Sequence, residues 1–214
     1  MTRTIGSNGE ATLKALRAAG LKRLFDQGFA GMTLRELAGD VGIQAGSLYN
    51  YFANKQDFLY QLLKHVMGDL IDEMESKVAE AENPTSALLA YVDCHVFFHS
   101  SRRKEILLSG SELRSLTPEN YHKIVSMRDG YESRLREILE WGHRENCWIV
   151  IDPKIATKMI LGMMSSVGTW YKPDGHYQIP DLVKIYQDMI LNILSNEAGA
   201  DALTPIKVAS SERS

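Results

Sequence analysis

The sequence is poor in the features that mark secreted, membrane and catalytic proteins. It holds two cysteines, Cys94 and Cys147, in 214 residues, with no C-x-x-C spacing. That is no disulfide framework, and it suits a reducing compartment. The N-terminus, "MTRTIGSNGEATLKAL", lacks the apolar core of a secretory signal. The longest apolar stretch, "MILGMMSSVGTWY" at residues 159–171, is too short and too polar to cross a bilayer. A cytoplasmic protein with no membrane partner is expected. There is no phosphate-cradling P-loop and no dinucleotide-binding glycine run. His95 and His99, in "HVFFH", stand at i, i+4 and could share a metal on one helix face. No glutamate follows in the H-E-x-x-H sense, and Cys94 is adjacent rather than at ligand spacing. The pair suits a core or pocket lining, and neither cysteine has an organised acid–base partner. No enzyme activity, metal or cofactor is expected.

Alternating strand runs are missing too; "CWIVI" is a short apolar link. What is present is helix grammar. "SNGE" at 7–10 and "TLRE" at 33–36 have capping-box spacing, and "NKQD" at 54–57 is a looser version. "NPT", "TPEN" and "DP" each put a cap residue before Pro84, Pro118 or Pro153, where the missing N–H costs nothing. Apolar residues between these marks recur at helical spacing, as in Leu59, Leu62, Leu63, Val66, Leu70 and Met74, or Tyr121, Ile124, Tyr131, Leu135 and Ile138. The fold class is all-α, with about nine helices: three short ones, then five or six longer ones. One long helix beginning near Lys55 belongs to both groups. Domains are expected at 1–54 and 55–196, with a loose tail over 197–214 that lacks apolar periodicity.

Net charge is −3, but residues 1–65 carry 8 Lys/Arg against 5 Asp/Glu. A mildly basic first third on an acidic body hints at an anionic partner near the N-terminus.

That region contains "LRELAGDVGIQAGSLYNYF", with Ala38, Gly42 and Leu48 at helix-turn-helix spacing. Ala38 lets the second helix cross closely, and Gly42 supplies the left-handed turn. Leu37, Val41, Ile43 and Leu48 fill the wedge. With Phe52 and the capped helix that follows, residues 9–58 resemble the DNA-binding domain of the TetR family of regulators. About ten positions of "GFAGMTLRELAGDVGIQAGSLYNYFANKQDFL" agree with that family in type and spacing.

The resemblance implies a recognition helix over 45–51, with Ala45, Gly46 and Ser47 allowing close approach to the major groove. It implies groove and backbone contacts from Tyr49, Asn50 and Tyr51, a phosphate contact from Lys55, and a cap-side phosphate contact from Thr33. Arg35 is the only arginine on the first motif helix and is expected to reach base or backbone, or to pair with Glu36 or Asp40. The recognition helix has no lysine or arginine, so a homodimer on a palindromic double-stranded operator is expected to double the flanking contacts. The dimer interface would come from helices at about 153–171 and 179–196.

Farther along, "ELRSLTPEN" at 112–120 and "WYKPDG" at 170–175 resemble the TetR subgroup that regulates fatty-acid, lipid or steroid catabolism. That resemblance implies an acyl-CoA thioester as the small-molecule effector of a repressor. Phe97, Tyr131, Met163 and Trp170 are expected in an apolar pocket, with Arg102 and Arg103 of "SRRK" at its mouth facing phosphate. Two other readings stay open: an efflux regulator responding to a hydrophobic drug-like ligand, and a helical adaptor that binds no DNA.

Overall fold

The computed structural model describes residues 7–195, the side chains of residues 7 and 8 excepted. The tail at 197–214 and the side-chain cap at Ser7 lie outside the described residues. Among those described there are ten α-helical segments, one short 3-10 turn and no strand. They are α1 (Ser7–Gly31), α2 (Leu34–Asp40), α3 (Ala45–Leu48), α4 (Lys55–Ala79), α5 (Pro84–Ser101), α6 (Arg103–Ser111), α7 (Pro118–Arg144), α8 (Pro153–Ser165), α9 (Val167–Trp170) and α10 (Ile179–Leu194). The 3-10 turn is Glu112–Ser115, between α6 and α7.

The cap residues set the starts. Asn54 accepts from the Asp57 N–H at 2.9 Å, and Asn83, Thr117 and Asp152 cap the helices that begin at Pro84, Pro118 and Pro153. Each such cap contributes on the order of 1 kcal/mol.

The first helix breaks at Gly28, whose backbone (φ 69°, ψ 171°) only glycine adopts easily, and then resumes to Gly31. Two boundaries differ from expectation. The expected helix 153–171 divides at Ser166, whose hydroxyl donates back to the Met163 carbonyl at 2.7 Å. The recognition helix is α-helical only over Ala45–Leu48 and continues to Phe52 through tighter turns.

Two cores lie along α4. Phe58, Leu59, Leu62 and Leu63 join Leu16, Leu24, Leu37, Leu48 and Phe52 in the first. Leu108, Leu116 and Ile124, from α6 to α7, also belong to that first core. Farther along α4, Val66, Leu70, Met74 and Val78 join the second core, with α5, α7, α8 and α10. α10 contributes Leu182, Val183, Tyr186, Ile190 and Leu194 to it, each buried side chain worth about 1.5–3 kcal/mol. One helix therefore has its first two turns in one core and the rest in the other.

Candidate functional site

The helix-turn-helix is held from several sides. Thr33 accepts from the Glu36 N–H (3.2 Å) and donates to the Glu36 carboxylate (2.8 Å), which also accepts from the Thr33 N–H (3.0 Å). The Thr33 hydroxyl is thus committed to the cap. Gly42 has φ 71°, and the N–H groups of Gly42 and Ile43 return to the Gly39 and Ala38 carbonyls at 3.1 and 3.0 Å. Arg23 of α1 grips both oxygens of Asp40 and lies 3.4 Å from Glu36. This fork orients α1 on α2 and holds the Asp40 carboxyl below its ordinary pKa, chiefly through the guanidinium hydrogen bond. Arg23 takes the acids that Arg35 was weighed against, and Arg35 is exposed with no ion pair among the described residues.

Behind α3, Leu48 and Phe52 are buried, and Phe52 meets Phe58 edge to face with centroids 5.1 Å apart. In front, Ala45, Gly46, Tyr49 and Asn50 are exposed, Tyr49 by 61%. Ser47 and Tyr51 are half-buried, and Tyr51 backs onto Phe52. Lys55 donates to the Ala30 carbonyl at 3.2 Å and rests 4.5 Å from the Phe29 ring centre. Its ammonium keeps further donors for another acceptor. None of Thr33, Arg35, Ala45, Gly46, Ser47, Tyr49, Asn50, Tyr51 and Lys55 is fully buried. A solvent-facing tyrosine and asparagine, on a short helix anchored by leucine and phenylalanine, make a surface suited to a groove.

The second feature is a cavity of about 330 Å³ in the body, where the second core meets Leu63 and Ile124 of the first. α4 supplies Leu63, Val66, Met67 and Leu70; α8 supplies Leu161 and Ser165. α6 contributes Ile106, Ser109 and Gly110, and α7 contributes Ile124, Arg128, Tyr131 and Glu132. His95 and His99 of α5 complete the lining and stack at 3.9 Å between ring centroids. His95 bonds Tyr131 Oη and Ser165 Oγ, both at 3.1 Å. Burial keeps both rings neutral, with the His99 pKa lowered to about 4 and that of His95 well below its usual value. No cluster of three metal-ligating side chains exists among the described residues. The cavity offers an apolar body with a few polar groups, which suits a small amphiphile.

Of the six residues expected in a pocket, Tyr131 lines this cavity and five do not. Phe97 is 44% exposed, on the face of α5 opposite the histidines; α5 is buried nearly all round, so its apolar pattern gives no inward direction. Met163 packs on the second core while its neighbours Leu161 and Ser165 reach the cavity, and Trp170 is 47% exposed. Arg102 is tied to Asp69 (2.6 Å) and Glu105 (2.8 Å). Arg103 donates to the Gly168 and Thr169 carbonyls at 2.8 and 3.2 Å. Those two cations thus knit helices together.

Arg128 was missed, although the sequence marks it. It falls four residues after Ile124 and three before Tyr131, a charge set into an apolar stripe.

Besides the apolar packing of Leu108, Leu116 and Ile124, three hydrogen bonds join the two regions. The Gly28 break frees the Phe29 N–H, which donates to Glu112 at 3.2 Å. Gln56, in the first turn of α4, donates to the Ser115 carbonyl (2.8 Å) and accepts from the Thr117 N–H (3.1 Å). The segment between α6 and α7, whose helices wall the cavity, is thereby clamped to the helix-turn-helix bundle.

These features define a helix-turn-helix protein whose head is joined to a larger helical body. Residues 16–62 match "Bacterial regulatory proteins, tetR family", and residues 81–194 match "Tetracyclin repressor-like, C-terminal domain". The chain belongs to the TetR family of transcriptional regulators, whose members are not enzymes. It is 25% identical to the fatty acid metabolism regulator protein of Bacillus subtilis, over 84% of this chain and 93% of that protein. It is 23% identical to the transcriptional repressor KstR2 of Rhodococcus jostii, over 90% of this chain and 95% of the repressor. The structure of AibR with isovaleryl coenzyme A and operator DNA superposes with a TM-score of 0.73 at 22% identity, covering 86% of this chain and 97% of that one. No helix among the described residues is long and apolar enough to cross a membrane.

Proposed function

We propose that the protein is a homodimeric repressor that binds a palindromic operator and leaves it when an apolar small molecule, an acyl-CoA thioester or similar, enters the C-terminal cavity. The observation that carries this reading is the joint between cavity and head: α4, α6 and α7 line the cavity, the first turns of α4 are packed in the head core, and the link between α6 and α7 is bonded to Phe29 and to Gln56. A ligand that spreads α4 from α6 and α7 would shift the head. Repression ends if the ligand favours the spread arrangement over the one that fits DNA.

In this reading the nine residues from Thr33 to Lys55 named above make the DNA contacts, with Thr33 acting through its cap geometry. Residues 1–54 are the head, and residues 55–196 bind ligand and a second copy. Ile155 and Met159 of α8, and Ile185, Met189 and Ile193 of α10, are exposed apolar side chains on the helices assigned to the dimer. Compounds related to fatty acids fit the reading because a fatty acid metabolism regulator is among the relatives and AibR was solved with isovaleryl coenzyme A.

The test is to select an operator from random duplexes with the purified protein, then titrate acyl-CoA thioesters and hydrophobic drug-like compounds against the complex. Release by thioesters is expected. Release by drug-like compounds alone would favour an efflux regulator, and failure to select any duplex would leave only the helical adaptor.

A further inference from the structure

The polar groups of the cavity do not balance. Arg128 carries a positive charge on the inward stripe of α7, yet no carboxylate pairs with it among the described residues. Its Nη2 donates only to the Ser109 carbonyl, at 2.9 Å. Burial disfavours the charged guanidinium and lowers its pKa, though arginine remains protonated at any physiological pH. Ser109 Oγ and His99 Nδ1 are buried without a hydrogen-bond partner. The acid in the lining, Glu132, faces Lys158 at 3.0 and 3.2 Å and is already answered. A buried hydroxyl without a partner is costly, and a half-buried cation beside apolar walls offers a donor to whatever enters.

We propose that Arg128 is the head-group residue of the effector site: a carbonyl or carboxylate oxygen of the effector takes the Arg128 guanidinium and the Ser109 hydroxyl, while its apolar body lies against Leu63, Val66 and Leu70. This rests on reading the cavity as the effector site. A volume of about 330 Å³ is at the lower end of the ~300–1,000 Å³ range of ligand pockets. It accommodates a compact body and not a coenzyme as well. The oxygen therefore belongs either to a free short- or medium-chain acid or to a thioester whose carrier projects outside.

Octanoate, octanoyl-CoA and 1-octanol are titrated calorimetrically against the wild type and against Arg128→Met, Arg128→Lys and Ser109→Ala, with thermal melts as the folding control. Arg128→Met should weaken the acyl probe whose carbonyl or carboxylate it holds at least 10-fold and octanol, with only a neutral hydroxyl, less than 2-fold, and lysine should restore most of the loss. Ser109→Ala should cost about 3-fold. Loss for octanoate alone identifies a free acid, and loss for octanoyl-CoA alone a thioester. Equal weakening of all three probes, or none, overturns the assignment of Arg128 and leaves the effector cavity standing. If the wild type binds none of the three, the acyl-effector reading itself falls, and this assignment with it. Should Arg128→Met not fold, Arg128→Gln takes its place in the same comparison.

Discussion

The residues buried in the helix-turn-helix bundle are all apolar, from Leu16 and Leu24 through Leu48, Phe52 and Phe58. The buried polar residues, His95, His99, Ser100 and Thr157, all lie in the C-terminal body. In the head the polar side chains of Tyr49 and Asn50 stand outside an apolar core, of which only Leu63 and Ile124 reach the cavity. The body is incompletely filled, and polar groups face its cavity. A close-packed apolar core keeps a fixed surface shape, as the proposed reading of a groove demands. A core with a void and unsatisfied polar groups gains by accepting a ligand and repacking around it. The division of labour is thus visible in what each region hides.

Removing the head's outer atoms should have the largest effect. Tyr49→Ala with Asn50→Ala is expected to lower operator affinity about 1,000-fold or more, since each lost base contact costs at least ~1 kcal/mol and a dimer loses four. Melting temperature and ligand binding should be unchanged, as measured by fluorescence anisotropy, calorimetry and thermal melts.

Overfilling the head's apolar core comes next. A Cβ on Gly20 would lie 2.2 Å from Phe58 Cζ, so Gly20→Val must push α4 away from α1. A loss of about 1–3 kcal/mol is expected in chemical denaturation, with DNA binding impaired.

Acid should reach the body through its histidines. His99 protonates at about 4 in the fold against 6.5 ordinarily, so between those values the unfolded chain binds more protons. Stability is complete above pH 6.5 and falls as pH drops towards 4, by on the order of 2–3 kcal/mol, with His95 acting in the same direction. Denaturant midpoints at pH 7.5 and 5 check this, and His99→Gln should flatten the dependence.

The smallest effect is expected at the joint. Gln56→Ala removes both bonds to the 115–117 segment and should reduce the coupling between ligand and operator by about 1 kcal/mol, roughly 5-fold in release. Comparing operator affinity with and without saturating ligand measures it.

The sequence marks the head far more plainly than the body. Gly42, Ala38, Leu48 and the Thr33 and Asn54 caps are local requirements of a tight motif, so spacing alone displays them. The proline-started helices are legible for the same reason. The cavity depends instead on which face of α5, α6 and α8 turns inward. In α5 apolar residues surround the helix, so Phe97 could not be told from His95 and His99 by period. The basic triplet looked like a mouth for phosphate, but Asp69 and the end of α9 are brought to it only by folding. Arg128 was readable as a charge on a buried stripe, and Gly28 as a break, once the partners Ser109 and Glu112 gave them meaning.

The central claim is that the cavity governs the DNA-binding surface. Filling it tests this most directly. Leu161, on the cavity wall and outside the head, is changed to tryptophan, and a labelled operator duplex is titrated with a thioester or acid that releases the wild type. The account predicts that Leu161→Trp no longer responds to the ligand, holding the same occupancy of DNA at about ten times the wild-type releasing concentration. Release at the wild-type concentration would contradict it.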